Sequence, residues 1–363
     1  MRLQLFTQES APFSGGIPRI VRIPEYFDYF SCLAGSCPHS CCIGWEVVID
    51  EDTARRYQEA SGPLGERLRD AMGFDGEDFC FPLRGGRCPF LNRENLCEIH
   101  CAWGAEATSV TCREHPRFTE DYGAFREITL SAACPKANDL LLGSRESLTF
   151  LEREDGEPAE AGDEWLDWLV PLREQLLNLL CCRSLPLNRR LRAFLRTAYR
   201  AQCLLEDEDM ENLAAFCAAP CAGAEEAEAK SAGDWEAAAR QCLLGLEILE
   251  PDWKALLERW SAAPPDAGFH PAEPALTERI AVYFAFRYLL KAVNDGDLLG
   301  RAMFCVLGVL VTERLSRFSG LREALRLFSR EIEHDEDNVT ALLDAFQEEP
   351  GLSLPVLLAA LRE

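Results

Sequence analysis

Positive charge is scarce in this chain. Against 61 Asp+Glu stand 37 Lys+Arg, giving a formal net charge of −24 over 363 residues. A nucleic-acid groove needs clustered Lys and Arg to displace phosphate counterions, so the balance argues against a nucleic-acid binder. It argues equally against docking on anionic lipid. Only four residues are lysine (Lys136, Lys230, Lys254 and Lys291), and the accompanying abundance of Arg, Ala and Leu reads as a coding bias. Long apolar runs are missing too. No window reaches the ~18 uncharged apolar residues of a membrane span, and the nearest, 302–312 (AMFCVLGVLVT), reads as a buried helix segment. The first nine residues have no apolar core of signal-peptide length, and Glu9 interrupts them. The expected location is therefore the cytoplasm, where thiols stay reduced. There is no internal repeat of fixed period, and no G-x-G-x-x-G after a strand, since 83–87 (LRGGR) is too short.

Cysteine, by contrast, is plentiful. Ten of the 17 fall within residues 1–134. In a reducing compartment such density points to metal binding or redox chemistry, and an odd total fits poorly with complete disulfide pairing. Four thiols (Cys32, Cys37, Cys41 and Cys42) sit within eleven residues, among Gly, Pro and Ser that let the backbone turn around one point. Cys88-Pro89, Cys97, Cys112 and Cys134-Pro135 could complete a ligand shell, with Cys80 and Cys101 in less distinctive surroundings. Structural zinc favours paired C-x₂-C knuckles, and none is present. Iron–sulfur clusters tolerate irregular spacing and often use cysteine before proline. The spacing leans to iron–sulfur, with zinc as the alternative. The seven later cysteines (Cys181, Cys182, Cys203, Cys217, Cys221, Cys242 and Cys305) read as packing residues, because free cysteine behaves as a small hydrophobe.

The chain divides by pattern. Residues 1–150 form a cysteine-rich metal-cluster domain, irregular, with short strands expected at 45–50 (WEVVID) and 125–130 (FREITL). Asp50 is placed to cap a following helix. The acidic stretch 152–163 looks like an exposed linker. Residues 164–363 form an all-α domain, with apolar stripes at helical spacing over roughly 164–182, 187–205, 234–260, 275–293, 297–318, 320–332 and 353–362. Segments 220–233 and 261–274 read as connectors. The expected fold is mainly α, and most of the acidity (23 basic against 40 acidic residues after 143) lies on the helical part.

The run F-x-C-x₄-C-x₃-C-C-x-G-W over 30–45, then VVID at 47–50, C-P-F-L at 88–91, L-C-x-I at 96–99 and C-R-x-x-P-R at 112–117 resembles the flagellin lysine-N-methylase family. Its shorter core also resembles zinc- or iron-chelating cysteine-cluster domains. The resemblance covers about residues 22–143 and continues weakly at 278–288. It implies methyl transfer from S-adenosylmethionine to lysines of flagellin, with a four-iron cluster. The ligands would come from Cys32, Cys37, Cys41, Cys42, Cys88, Cys97, Cys112 and Cys134, and Cys37, Cys41, Cys88 and Cys112 are the narrower choice. The chain departs from the family in placing Ala132-Ala133 between Ser131 and Cys134. Nor does it carry the C-x₃-C-x₂-C triad of radical S-adenosylmethionine enzymes, because Gly44 stands where the third thiol after Cys37 and Cys41 would fall.

Methyl transfer to lysine requires a neutral amine, whose free pKa is ~10.4. Asp50, His115 and Tyr122 are the candidate proton acceptors near the motifs. Arg113 or Arg117 could hold the cofactor's carboxylate in a fork, and Trp45 could face its sulfonium. Each has a plainer role available: capping for Asp50, a turn for His115, donation to sulfur for the arginines, shielding of the cluster for Trp45. The alternative function is an iron–sulfur or zinc module for redox work or protein interaction, without methyl transfer.

Overall fold

In the computed structural model, residues 18–74, 76–218, 234–265 and 268–362 are described. The N-terminal run, the 220–233 connector and Cys221 discussed above lie outside them. The strands are β1 (Pro18–Pro24), β2 (Val48–Ile49), β3 (Gly73–Phe74), β4 (Phe79–Cys80), β5 (Arg117–Asp121), β6 (Phe125–Leu130) and β7 (Phe150–Pro158). Four of them make a sheet in the order β5-β6-β1-β7, and β2, β4 and β3 make a small one. β1 runs parallel to β6. Parallel neighbours need a long crossover, and here the crossover is the cysteine-rich segment itself. That segment carries α1 (Glu51–Glu59), α2 (Gly62–Ala71), α3 (Glu98–Trp103) and α4 (Val110–Glu114), and α5 (Pro135–Leu141) lies between β6 and β7. Ile49, Ala54, Tyr57, Leu68, Phe81, Phe90 and Ile99 give the crossover its own small core.

The expected linker at 152–163 is instead largely β7, paired antiparallel to β1. Its residues are mostly exposed, so no apolar alternation betrays a strand. Cross-strand charge holds it: Arg22 Nε donates to Glu152 at 2.8 Å and Arg19 Nε to Asp155 at 2.9 Å, while Arg153 pairs with Asp28. Charged side chains on an edge strand also discourage further pairing.

From Leu166 onward the described residues are helical or connecting. The helices are α6 (Leu166–Leu180), α7 (Leu187–Glu206), α8 (Met210–Ala218), α9 (Trp235–Gly245), α10 (Pro251–Ser261), α11 (Pro274–Tyr288), α12 (Ala292–Asp295), α13 (Leu298–Ser319), α14 (Leu321–Phe328), α15 (Glu336–Glu348) and α16 (Leu354–Ala360). The mainly-α expectation is met. α11 and α13 are the centre: residues 276–288 and 302–315 are buried without interruption. No helix among the described residues is long and apolar enough to cross a membrane. Three stripes end differently from expectation. The 234–260 stripe breaks into α9 and α10, because Pro251 suits the first turn of a new helix but not a helix interior. The 275–293 stripe tightens into a 3₁₀ turn after Tyr288, and the 320–332 stripe ends in a π-helical turn at Ser329–Glu333. α8 and α15 had no recognised stripe.

Sheet and helices share one core, in which Tyr26, Leu130, Ala132 and Leu141 pack with the helical residues. Buried ion pairs join them. Arg173 of α6 clamps Glu127 of β6 with both terminal nitrogens, at 2.6 and 2.7 Å. Arg279 of α11 donates to the carbonyls of Leu141 and Glu146 and to Glu25.

Candidate functional site

Backbone pairing draws the distant cysteines together. Cys88 N–H donates to the Cys42 carbonyl at 2.9 Å, Gly44 N–H to Gly86 at 2.9 Å, and Leu91 pairs with Cys97. Ser109 caps α4 by accepting the Cys112 N–H, which sets Cys112 in the first turn. As a result the thiols of Cys42, Cys88, Cys97 and Cys112 all lie within electrostatic reach of one another. Desolvation first, then the negative charge the neighbouring thiolates would carry, push Cys88 up to about 12 and Cys112 up to about 11, and raise Cys97. Cys42 moves the other way, drawn down by a hydrogen bond from Cys41 and by Ser40 and Arg87. A second group, Cys32, Cys37 and Cys134, interacts in the same manner, and Cys41 stands between the groups. The narrower choice of Cys37, Cys41, Cys88 and Cys112 draws on both. Among the described residues no three His, Cys, Asp or Glu side chains converge tightly enough to hold a single metal ion. The donor set is thus soft, gathered and partly desolvated, but spread wider than one ion requires.

Next to the thiols lies a second constellation, assembled from both ends of the chain. The indole N–H of Trp45 donates to the Cys41 carbonyl at 2.7 Å. Its ring packs against His334 (centroids 4.9 Å apart) and His115 (5.9 Å), and the two imidazoles are 5.6 Å apart. Phe118 closes the group, 4.8 Å from His334. His334 follows the π-helical turn, a distortion often found at functional sites, and its Nε2 is 2.7 Å from the hydroxyl of Ser131, which also meets Ser329 at 3.3 Å. Arg330 stacks on Trp45 at 4.1 Å, pairs with Glu250 and donates to the Ile43 carbonyl. Arg287 lies over Phe118 at 3.2 Å and donates to Glu333, which also accepts from Tyr283 and Tyr288. Burial, reinforced by nearby arginines, lowers His115 to about 4 and His334 to about 3, so both rings are neutral at pH 7.

The other sequence candidates divide. His115 and Trp45 stand in this constellation. Asp50 caps α1, accepting from Thr53 N–H and Val110 N–H at 2.9 Å each. Against the desolvation of burial, those two bonds hold its carboxyl below the usual range. Tyr122 is buried beside Phe125, in the core shared with the helices. Arg113 faces Glu106 and Glu114, and Arg117 lies over Phe27 and Phe30. Cys80 is buried with its thiol 3.4 Å from Glu46, and Cys101 is exposed on α3. Of the later cysteines, Cys217 and Cys305 are buried and Cys182 is exposed. Sequence reasoning missed Ser131, Arg287, Arg330 and His334. Ser131 and His334 lie 203 residues apart, and no local motif connects them. A cleft of about 590 Å³ lined by Ser144, Arg145, Glu273, Arg322 and Glu323 lies elsewhere and has neither thiol nor imidazole among its lining residues.

No family model matches the chain, and no solved structure matches it. Curated proteins do. A protein named lysine-N-methylase from Salmonella choleraesuis (strain SC-B67) is 29% identical over 167 residues, 44% of this chain and 40% of that protein. Its namesake from Salmonella typhimurium is 27% identical over 166 residues. The flagellar biosynthetic protein FliU of Salmonella muenchen is 28% identical over 138 residues, 36% of this chain and 81% of that protein. The match spans about two-fifths of the length of the lysine-N-methylase relatives. The resemblance read from the cysteine motifs is thus met by similarity along the sequence to proteins named lysine-N-methylase and flagellar biosynthetic protein FliU.

Proposed function

We propose that this protein methylates lysine side chains of flagellin from S-adenosylmethionine, and that Cys42, Cys88, Cys97 and Cys112 hold an iron–sulfur cluster beside the Trp45–His115–His334 constellation. The observation that carries the reading is the mutual approach of these four thiols. Soft donors at irregular spacing, without the paired knuckles of structural zinc, suit a multi-iron cluster better than a tetrahedral zinc site. Bound there, a cluster would supply Lewis-acid or electron-transfer chemistry at its irons. The chain's own residues supply the rest. Lysine attacks as a free amine, so its ammonium must first lose a proton. Desolvation beside the buried rings lowers the amine's own pKa, so the proton passes to water as the side chain enters; His115 and His334, lowered to about 4 and about 3, are too weak as bases to hold it. Trp45 and Phe118 pack against His334 and keep that end of the site apolar.

The experiment is anaerobic purification with iron and sulfide analysis, followed by incubation with methyl-labelled S-adenosylmethionine and flagellin. Label on flagellin lysine is the expected result, and its absence refutes the methyltransferase reading. A second reading keeps the same thiols in an iron–sulfur or zinc module for redox work or protein interaction. It draws on the lack of a recognisable nucleotide-binding loop, and predicts bound metal without label transfer.

A further inference from the structure

The constellation around His334 has an unsatisfied member. Arg287 is 5% exposed, and although its Nε donates to Glu333 at 2.8 Å, its Nη1 has no partner. A guanidinium N–H left unpaired in a desolvated position is unfavourable, a cost relieved when an acceptor arrives. Three features say which acceptor. Glu333 is consumed by three donors, namely Arg287, Tyr283 and Tyr288. The second guanidinium, Arg330, is neutralised by Glu250 and anchored on the Ile43 carbonyl, so it lines the site without requiring a ligand of its own. The remaining polar groups are His115, His334 and the Ser131 hydroxyl; the last two share a hydrogen bond, so between them they keep one hydrogen for an incoming oxygen, and His115 offers another. Trp45 and Phe118 border these groups, each with one face covered by a guanidinium, Arg330 on Trp45 and Arg287 on Phe118, and each packed against His334.

We infer that Arg287, with His334 and His115, forms the docking point for the carboxylate of an amino-acid-bearing small molecule, placed beside Trp45 and the cysteine loop. Resting on the function proposed above, that molecule is S-adenosylmethionine and the group is the carboxylate of its methionyl end. A guanidinium recognises a carboxylate through charge-assisted hydrogen bonds. The placement leaves the sulfonium and its methyl on the side of Trp45 and the thiols. It also moves the carboxylate anchor away from Arg113 and Arg117, whose neighbours are already carboxylates and phenyl rings.

The test is a ligand-side comparison on the intact protein. Wild type is titrated calorimetrically with S-adenosylmethionine and with 5′-methylthioadenosine, which lacks the amino-acid end. Arg287→Lys and His334→Phe are titrated with both; the second keeps a ring against Trp45 and Phe118 and covers the chance that the first fails to fold. Loss of a charge-assisted hydrogen bond should weaken S-adenosylmethionine by about 10- to 100-fold in either variant, while methylthioadenosine binds all three proteins alike. Variants that bind S-adenosylmethionine as wild type does, or that lose both ligands equally, overturn the inference alone. Wild type that binds methylthioadenosine as tightly as S-adenosylmethionine overturns it too. Failure of wild type to bind S-adenosylmethionine at all overturns the functional reading together with it.

Discussion

Removing the guanidinium of Arg173 should strand a carboxylate in the core that sheet and helices share. Arg173 and Glu127 have side chains 0% and 4% exposed, joined by two hydrogen bonds of 2.6 and 2.7 Å. Arg173 also lies over Phe286 at 4.5 Å. In Arg173→Met the methylene bulk is retained, but Glu127 keeps only Arg22, at 3.8 Å. Breaking a buried pair from one side costs about 3–5 kcal/mol, and the residual Arg22 contact places the expected loss near the lower end. The double variant Arg173→Met/Glu127→Leu removes both charges, and exchanging a buried pair for apolar bulk is often neutral or stabilising. It should therefore be more stable than the single variant, a coupling read directly from the cycle. The pH dependence has a definite sign. Burial raises the Glu127 carboxyl, with Arg173 as the chief group opposing that rise. Without Arg173 the folded protein binds a proton at Glu127 more readily than the unfolded chain does, so the deficit shrinks as pH falls from 7 towards 5. Urea denaturation of the three proteins followed by circular dichroism at both pH values is the assay. A single variant within about 1 kcal/mol of wild type, or a double variant no better than the single, refutes the reasoning.

Four further outcomes are expected. Gly44 has φ +91°, and a Cβ there would lie 2.6 Å from Arg330 Nη2, so Gly44→Ala should cost about 1–3 kcal/mol in thermal or urea melts. His115 and His334 are lowered in the folded state to about 4 and about 3. The unfolded chain takes up their protons first, so stability present above pH ~6.5 should drain away as pH falls towards 4, by on the order of 2–3 kcal/mol per ring; a flat profile between pH 7 and 4.5 in His115→Gln/His334→Gln, against a sloping wild type, checks the source. Serine at Cys42, Cys88, Cys97 or Cys112 should lower the iron bound per chain, and Cys182→Ser, at an exposed position, should leave it unchanged. Asp50→Ala should destabilise by about 1–2 kcal/mol through the lost cap, and the matched Asp50→Asn should recover most of it in the same melts.

Much of the chain was legible because its signals are local. Helices α6, α7, α13 and α16 follow apolar stripes nearly end to end, and α1 follows from its Asp50 cap. β7 was not legible, since an exposed edge strand needs no apolar face and its stability comes from arginines over a hundred residues away. The cysteine motifs named eight thiols by spacing and resemblance, but spacing is silent on distance. Only the pairing of 42–44 with 86–88 sets Cys42 among Cys88, Cys97 and Cys112, with Cys32, Cys37 and Cys134 as a second group that meets the first through Cys41 and Cys42.

What the sequence by itself determined is what periodicity, capping and motif order encode within a few tens of residues: a mainly α chain, a cysteine-rich front and a family likeness. The tertiary structure alone decided the site. His334, Arg330 and Arg287 stand on elements whose local pattern says only buried helix. They become a site because the parallel pairing of β1 with β6 folds the cysteine crossover back against α11 and the π-helical turn. The meeting of Trp45, Ser131 and His334 is a contact between segments far apart in sequence, and such contacts are set by how the shared core closes rather than by any residue's neighbours.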